Sequence, residues 1–295
     1  MGLGQCNATP LPAERLHYLD WLRVLAIGGV FLFHAAHVFD LFDFGIKNSE
    51  QSMAITVCVV FFFLWGMPFF FLIAGTASSF ALQRRSAKEY VRERFCRLFI
   101  PFLAGSILFT PVQQYMVWLH QTRVGLIQGS FREFVGSLDW SPSPVIFDEV
   151  GSHLWFLGFL FAFSLLTLPL FRWFGGESGR SLVAWLARIC DHRGAIVLFI
   201  LPLALVRLVL QPFSPEEHGW AAFLSYATFF VMGYMLFADE RFLRAIRRDW
   251  WISLTVGILA MLAAIAMLAT AETVNPEVAP QTPESFVLWG LVIVN

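Results

Sequence analysis

Charge is what this chain has least of. Only 14% of its 295 residues are Asp, Glu, Lys or Arg, against about 25% in soluble domains. That scarcity excludes an ordinary water-soluble domain. The net charge of −1 carries no information about partners, and no nucleic-acid partner is expected. Cysteine is also scarce. Cys6, Cys58, Cys96 and Cys190 are widely spaced, with no CxxC pair, which excludes a disulfide framework and a zinc site. No internal repeat is present. No small-residue cleavage pattern follows the first apolar run, so that run reads as a spanning helix rather than a signal peptide.

What fills the chain instead is apolar. Hydrophobic residues make up 58%, with 33 Phe and 11 Trp, and the mean hydropathy is +0.67. Apolar segments cover 21–39, 53–82, 98–118, 153–173, 194–210, 219–237 and 251–270, and another starts at 285. Runs of this length separated by short polar loops predict an all-α fold, a polytopic transmembrane bundle of about eight spans. The second run is too long for a helix standing upright in a bilayer, and Gly66 and Pro68 predict a kink near its middle. Segment 119–152 is the longest loop, and its Trp, Phe and Ser-Pro pairs predict an ordered cap. The sequence stops about ten residues into its last apolar run. It therefore reads as a single membrane domain over 1–295, C-terminally truncated, with the last span incomplete.

The basic residues orient the chain. With a cytoplasmic N-terminus, most of the 20 Lys and Arg fall in inside segments, including the run from Arg84 to Arg97 and the cluster Arg241, Arg244, Arg247 and Arg248. This is the positive-inside pattern. It predicts a multi-pass protein of the cytoplasmic (inner) membrane, in contact with membrane lipid. Nothing indicates an oligomeric state.

Ionisable groups inside a span cost about 2.5–3.5 kcal/mol by insertion scales, so each is a functional candidate. In "DWLRVLAIGGVFLFHAAHVF" (20–39), Arg23 either snorkels to the inner interface beside Asp20 or serves the site. His34 lies eleven residues on, roughly 16 Å along the axis and close to three turns, so both side chains share a face. A neutral imidazole at that depth suits general base work. His37 suits the polar lining of a cavity mouth, and no metal site is expected. Arg94 and Arg97, spaced i,i+3 before the third segment, share a helical face, and their guanidinium forks suit phosphates. The bland reading is positive-inside charge. His153 and Trp155, in "GSHLWFLGFLF" (151–161), suit a carbohydrate acceptor, though Trp155 alone reads as an aromatic-belt residue. Arg207 suits a carboxylate or a sugar hydroxyl, or a pair with Glu216 or Glu217.

Together, Arg-x10-His from Arg23 to His34, the "LDWLR" context, Arg-x-x-Arg from Arg94 to Arg97 and "HLWFLGFLF" resemble the integral-membrane acyltransferase-3 family. Within it, the resemblance is nearest to the glucan-biosynthesis protein C branch, whose members modify periplasmic glucans with succinyl groups. The first 160 residues carry the likeness. It implies transfer of an acetyl or succinyl group from cytoplasmic acyl-CoA to a hydroxyl of an extracytoplasmic carbohydrate. It further implies that His34 is the catalytic base with Arg23 as helper, and that Arg94 and Arg97 lie on the donor side. The family usually has about ten spans, and this chain offers eight at most. The competing reading is a transporter or flippase of a lipid-linked sugar or small anion. That reading explains the intramembrane His and Arg equally well, but it does not call for a phosphate clamp.

Overall fold

A computed structural model describes residues 17–42, 46–125, 128–137 and 143–274. The described residues fold into helices joined by short turns. α1 (His17–His37) leads to α2 (Met53–Arg84), then α3 (Ala87–Arg94). A π turn at Phe95–Phe99 runs into α4 (Ile100–Leu108), followed by α5 (Thr110–Arg123) and two short helices, α6 (Phe131–Gly136) and α7 (Ile146–Gly151). A 3-10 turn at Ser152–Leu154 joins α7 to α8 (Trp155–Leu166). After α9 (Leu168–Phe174) and α10 (Glu177–Ile189), a second 3-10 turn at Ala195–Phe199 opens α11 (Ile200–Leu210). α12 (Trp220–Leu236) and α13 (Glu240–Val274) complete the set.

Among the described residues, two helical stretches are long and apolar enough to cross a membrane, Met53–Arg84 and Ile146–Leu166. Two bent pairs raise the number to four if each pair is one span. Ala87–Leu108 meets Thr110–Arg123 at 42°, and Trp220–Leu236 meets Glu240–Ala263 at 107°. Val24–His37 and Ala195–Leu210 are shorter apolar helices. Each of the first seven apolar segments is therefore helical. The run starting at 285 lies outside the described residues.

Several boundaries differ from the sequence pattern for local reasons. α2 continues through Pro68 without a break. The fourth span begins at Ile146 rather than 153, because the tail of the long loop folds as α7 against α8. That places His153 within the span. α13 starts at Glu240, inside the basic cluster, because Asp239 caps it. The Asp239 carboxylate accepts from the Arg241 backbone N–H at 3.0 Å and from the Arg241 Nη2 at 2.7 Å. These bonds hold its carboxyl below the usual carboxylate range,.

The core lies between α2, α8 and α12 and is aromatic. Phe71, Phe159, Phe163, Phe223 and Phe230 are buried there, with Tyr226 stacked on Phe71 at 4.8 Å. α2 and α12 touch backbone to backbone. A Cβ on Gly75 would meet the Phe230 carbonyl, and one on Gly233 would meet the Leu72 carbonyl. Thr76 Oγ1 bonds to the Gly233 carbonyl at 3.0 Å across the same seam. Small residues that let helix backbones meet, tied by a hydroxyl, are how helices associate in lipid, where burial of oil against oil supplies no drive. Elsewhere the bundle turns large apolar side chains outward. Trp21, Leu25 and Phe31 of α1, and Leu201 and Leu205 of α11, are all exposed, as lipid-facing helices require.

Candidate functional site

α1 leans on α2 through rings. Phe33 stacks near Phe62 at 5.6 Å and near Phe63 at 6.5 Å. The adjacent His34 and His37 then face away from lipid, into a cavity of about 680 Å³ bounded by α1, α2, α5, the α7–α8 stretch and α12. His153 comes from the opposite wall, with its ring 4.7 Å from that of His34. Trp155 also lines the cavity. Four of the residues singled out in the sequence thus meet in one chamber, although the chain places them more than 100 positions apart.

Two further residues belong to this chamber and escaped sequence reasoning. His218 is buried, stacks over Trp155 at 4.2 Å, and holds its Nδ1 3.3 Å from Asp148 Oδ2. In the sequence His218 sits in a short acidic loop and Asp148 in a long one, and nothing in their spacing links them. The chamber wall also carries a strained residue. Ser152 adopts φ 47° and ψ −127°, a conformation that favours glycine,. That turn lets α7 break and swing His153 inward.

Arg94 and Arg97 do not share a face. Arg94 closes α3 and turns inward. Its Nη2 donates to Ser78 Oγ at 3.2 Å, and its guanidinium lies 4.9 Å from the centre of the Tyr90 ring. Tyr90 OH donates to the same Ser78 hydroxyl at 3.0 Å, and Ser78 donates onward to the Ala74 carbonyl. The Nε of Arg94 is buried with no hydrogen-bond partner among the described residues. Arg97 turns outward, 74% exposed, and pairs with Glu93 at 3.0 Å. The cause is the π turn. The Ile100 N–H bonds to the Phe95 carbonyl five residues back, and the wider turn rotates Arg97 away from where an α-helix would put it.

Arg207 is not among the residues lining the chamber. Its Nη1 donates to Gln211 Oε1 at 2.9 Å, one helical turn on, rather than to Glu216 or Glu217. Arg23 is in α1, and its side chain lies outside the described residues. Among the described residues, no group of three or more His, Cys, Asp or Glu could hold a metal ion.

Apolar helices packed around an imidazole-lined chamber define the class, a helical membrane protein. The acyltransferase-3 family model, described as an acyltransferase domain, matches residues 16–294, and the chain belongs to that family. Glucans biosynthesis protein C of Escherichia coli strain K12 is 29% identical over 171 residues, which is 55% of this chain and 40% of that protein. The protein of the same name in Shigella dysenteriae serotype 1 is 27% identical over 167 residues, with the same coverage. The matched part thus spans less than half the length of these relatives. No solved structure matches the chain.

Proposed function

We propose that this protein is a multi-pass enzyme of the cytoplasmic membrane, with about eight spans and a cytoplasmic N-terminus. It moves an acetyl or succinyl group from cytoplasmic acyl-CoA to a hydroxyl of an extracytoplasmic carbohydrate such as a glucan. The observation that carries the reading is the convergence of His34, His37, His153 and His218 on one chamber within apolar helices. A structural role alone does not call for four imidazoles around open space.

In this mechanism His34 takes the proton of the acceptor hydroxyl. The oxygen bonds to the acyl carbon, the carbon–sulfur bond breaks, and the coenzyme A thiolate leaves and recovers the proton from the imidazolium. Arg23 acts as helper. His37, His153 and Trp155 hold the acceptor, since an aromatic face beside polar groups suits a sugar ring. Arg94 and Arg97 serve the donor phosphates. Support for Arg94 comes from its buried Nε, a charged donor that gains from an anionic acceptor,. Residues 63 and 78 of α2 are separated by roughly 22 Å of helix axis. The thioester must therefore reach the chamber on an extended arm, which the pantetheine of coenzyme A supplies. The two relatives are named for glucan biosynthesis, which favours a glucan acceptor.

The test is thiol release from acetyl- and succinyl-CoA by protein reconstituted in liposomes, with and without glucan. Release is expected to require glucan. His34→Ala is expected to reduce it by about 100-fold or more while the protein stays folded and inserted. Normal release by a folded His34→Ala protein would remove His34 as the base. No release from either thioester, together with no binding of coenzyme A, would overturn acyl transfer in favour of transport.

A further inference from the structure

A second polar cluster touches the same chamber through His37, and its other members, Asp40 and Lys47, have no part in the reaction above. His37 is the last residue of α1 and is buried, at 6% exposure. Asp40, three residues on, is fully buried at 0%. One carboxylate oxygen of Asp40, Oδ2, contacts His37 Nδ1 closely. The other, Oδ1, accepts from the Phe42 N–H at 3.0 Å and from Lys47 Nζ at 2.5 Å. Lys47 Nζ also donates to the His37 carbonyl at 2.7 Å, and its backbone N–H approaches His120 Nε2 at 3.4 Å. The turn is tied to α2 as well, through the Leu41 N–H and Thr56 Oγ1 at 3.1 Å.

This is more than a helix terminus requires. A buried carboxylate persists only when paired and hydrogen-bonded, and Lys47 supplies the charge. An ionised carboxylate can only accept. Its oxygen at Nδ1 therefore selects the imidazole form that carries a proton there, as second-shell carboxylates do for oriented histidines. Nε2 is then the nitrogen through which His37 accepts a hydrogen bond.

We propose that Asp40, braced by Lys47, is a positioning residue. It locks His37 with its proton on Nδ1, so that Nε2 is an acceptor for a hydroxyl donor of the substrate entering the chamber. The ligand class follows from that lock, because a hydroxyl fits an acceptor nitrogen and a substrate carboxylate does not. The hydroxyl assignment rests on the acyl-transfer reading. The tautomer does not.

The experiment is nitrogen-15 NMR of histidine-labelled protein in lipid. The chain has only seven His, and the His37 signal is assigned by its loss in His37→Gln. Wild-type His37 is expected to show a protonated Nδ1 and an unprotonated Nε2. A proton on Nε2 alone, or on both nitrogens, would overturn the lock, and this needs no variant of Asp40. In Asp40→Asn the amide can donate to Nδ1, so the proton is expected to move to Nε2, and Asp40→Glu should restore it. Calorimetric binding of a β-glucan oligosaccharide reads the second half. Asp40→Asn is expected to raise its Kd about tenfold, the worth of one hydrogen bond, with recovery in Asp40→Glu. An Asp40→Asn protein whose His37 tautomer has switched but whose glucan Kd is unchanged would sink the hydroxyl contact. Failure of thiol release with the lock intact would count against acyl transfer alone.

Discussion

Arg94 and Arg97 stand three residues apart and do different work. Arg94 is built into the fold through Ser78 and Tyr90, while Arg97 pairs with Glu93 and is open to solvent. Replacing them should therefore separate two effects. Arg97→Gln is expected to raise the Kd for coenzyme A several-fold without changing thermal stability, since an exposed pair contributes little. Arg94→Gln is expected to raise that Kd and also to destabilise the protein by about 1–2 kcal/mol, because Ser78 loses a charged donor. Titration calorimetry and melting in detergent read the two quantities. An unchanged Kd in both variants would count against the phosphate clamp. Local spacing revealed the imidazoles of α1, since depth within an apolar run is a one-dimensional property. It did not reveal Asp148 with His218, because that contact depends on how the α7–α8 stretch meets the loop before α12. His37 and Asp40 stand i,i+3, a spacing legible in the sequence, but the burial that gives their contact its weight is not.

At the scale of elements, the α2–α12 seam is the tightest helix–helix joint among the described residues. Gly75 and Gly233 each face a carbonyl of the partner helix at a distance no Cβ tolerates. Backbone cannot yield as a side-chain tip does, so Gly75→Val or Gly233→Val should force the helices apart. Each is expected to cost about 3 kcal/mol or more, at or beyond the upper range for overpacking, read as a lowered melting temperature in detergent. Gly28 is a control, because a Cβ there meets nothing within 4 Å, and Gly28→Ala should leave melting unchanged. The apolar helices were legible from hydropathy, whereas α6, α7 and α10 fall in stretches that hydropathy leaves as loops. Joints were not legible either. α2 runs through Pro68 without ending there, and the π turn at Phe95–Phe99 leaves no mark in the apolar pattern. Both depend on which neighbours pack alongside.

For the whole molecule, orientation follows from where the basic residues gather. The stretch from the end of α2 through the π turn carries Arg84, Arg85, Lys88, Arg92, Arg94 and Arg97, and the proposed topology has it on the cytoplasmic face, in line with the positive-inside pattern. Lys88 is exposed. A cysteine placed there (Lys88→Cys) should react with a membrane-impermeant maleimide in inside-out vesicles and be protected in right-side-out ones. Labelling of the opposite sense would invert the topology and put Arg94 on the wrong side for a cytoplasmic donor. The seam between α2 and α12 also shapes the chamber. Met67 and Tyr226, one from each helix, form part of its wall. Two helices notched into each other's carbonyls resist sliding, which makes that wall the rigid one. α1 rests on α2 through the rings of Phe33, Phe62 and Phe63, and rings can turn. The chamber thus has one wall fixed by backbone contact, and the helix that carries His34 and His37 is held against that wall by side chains alone.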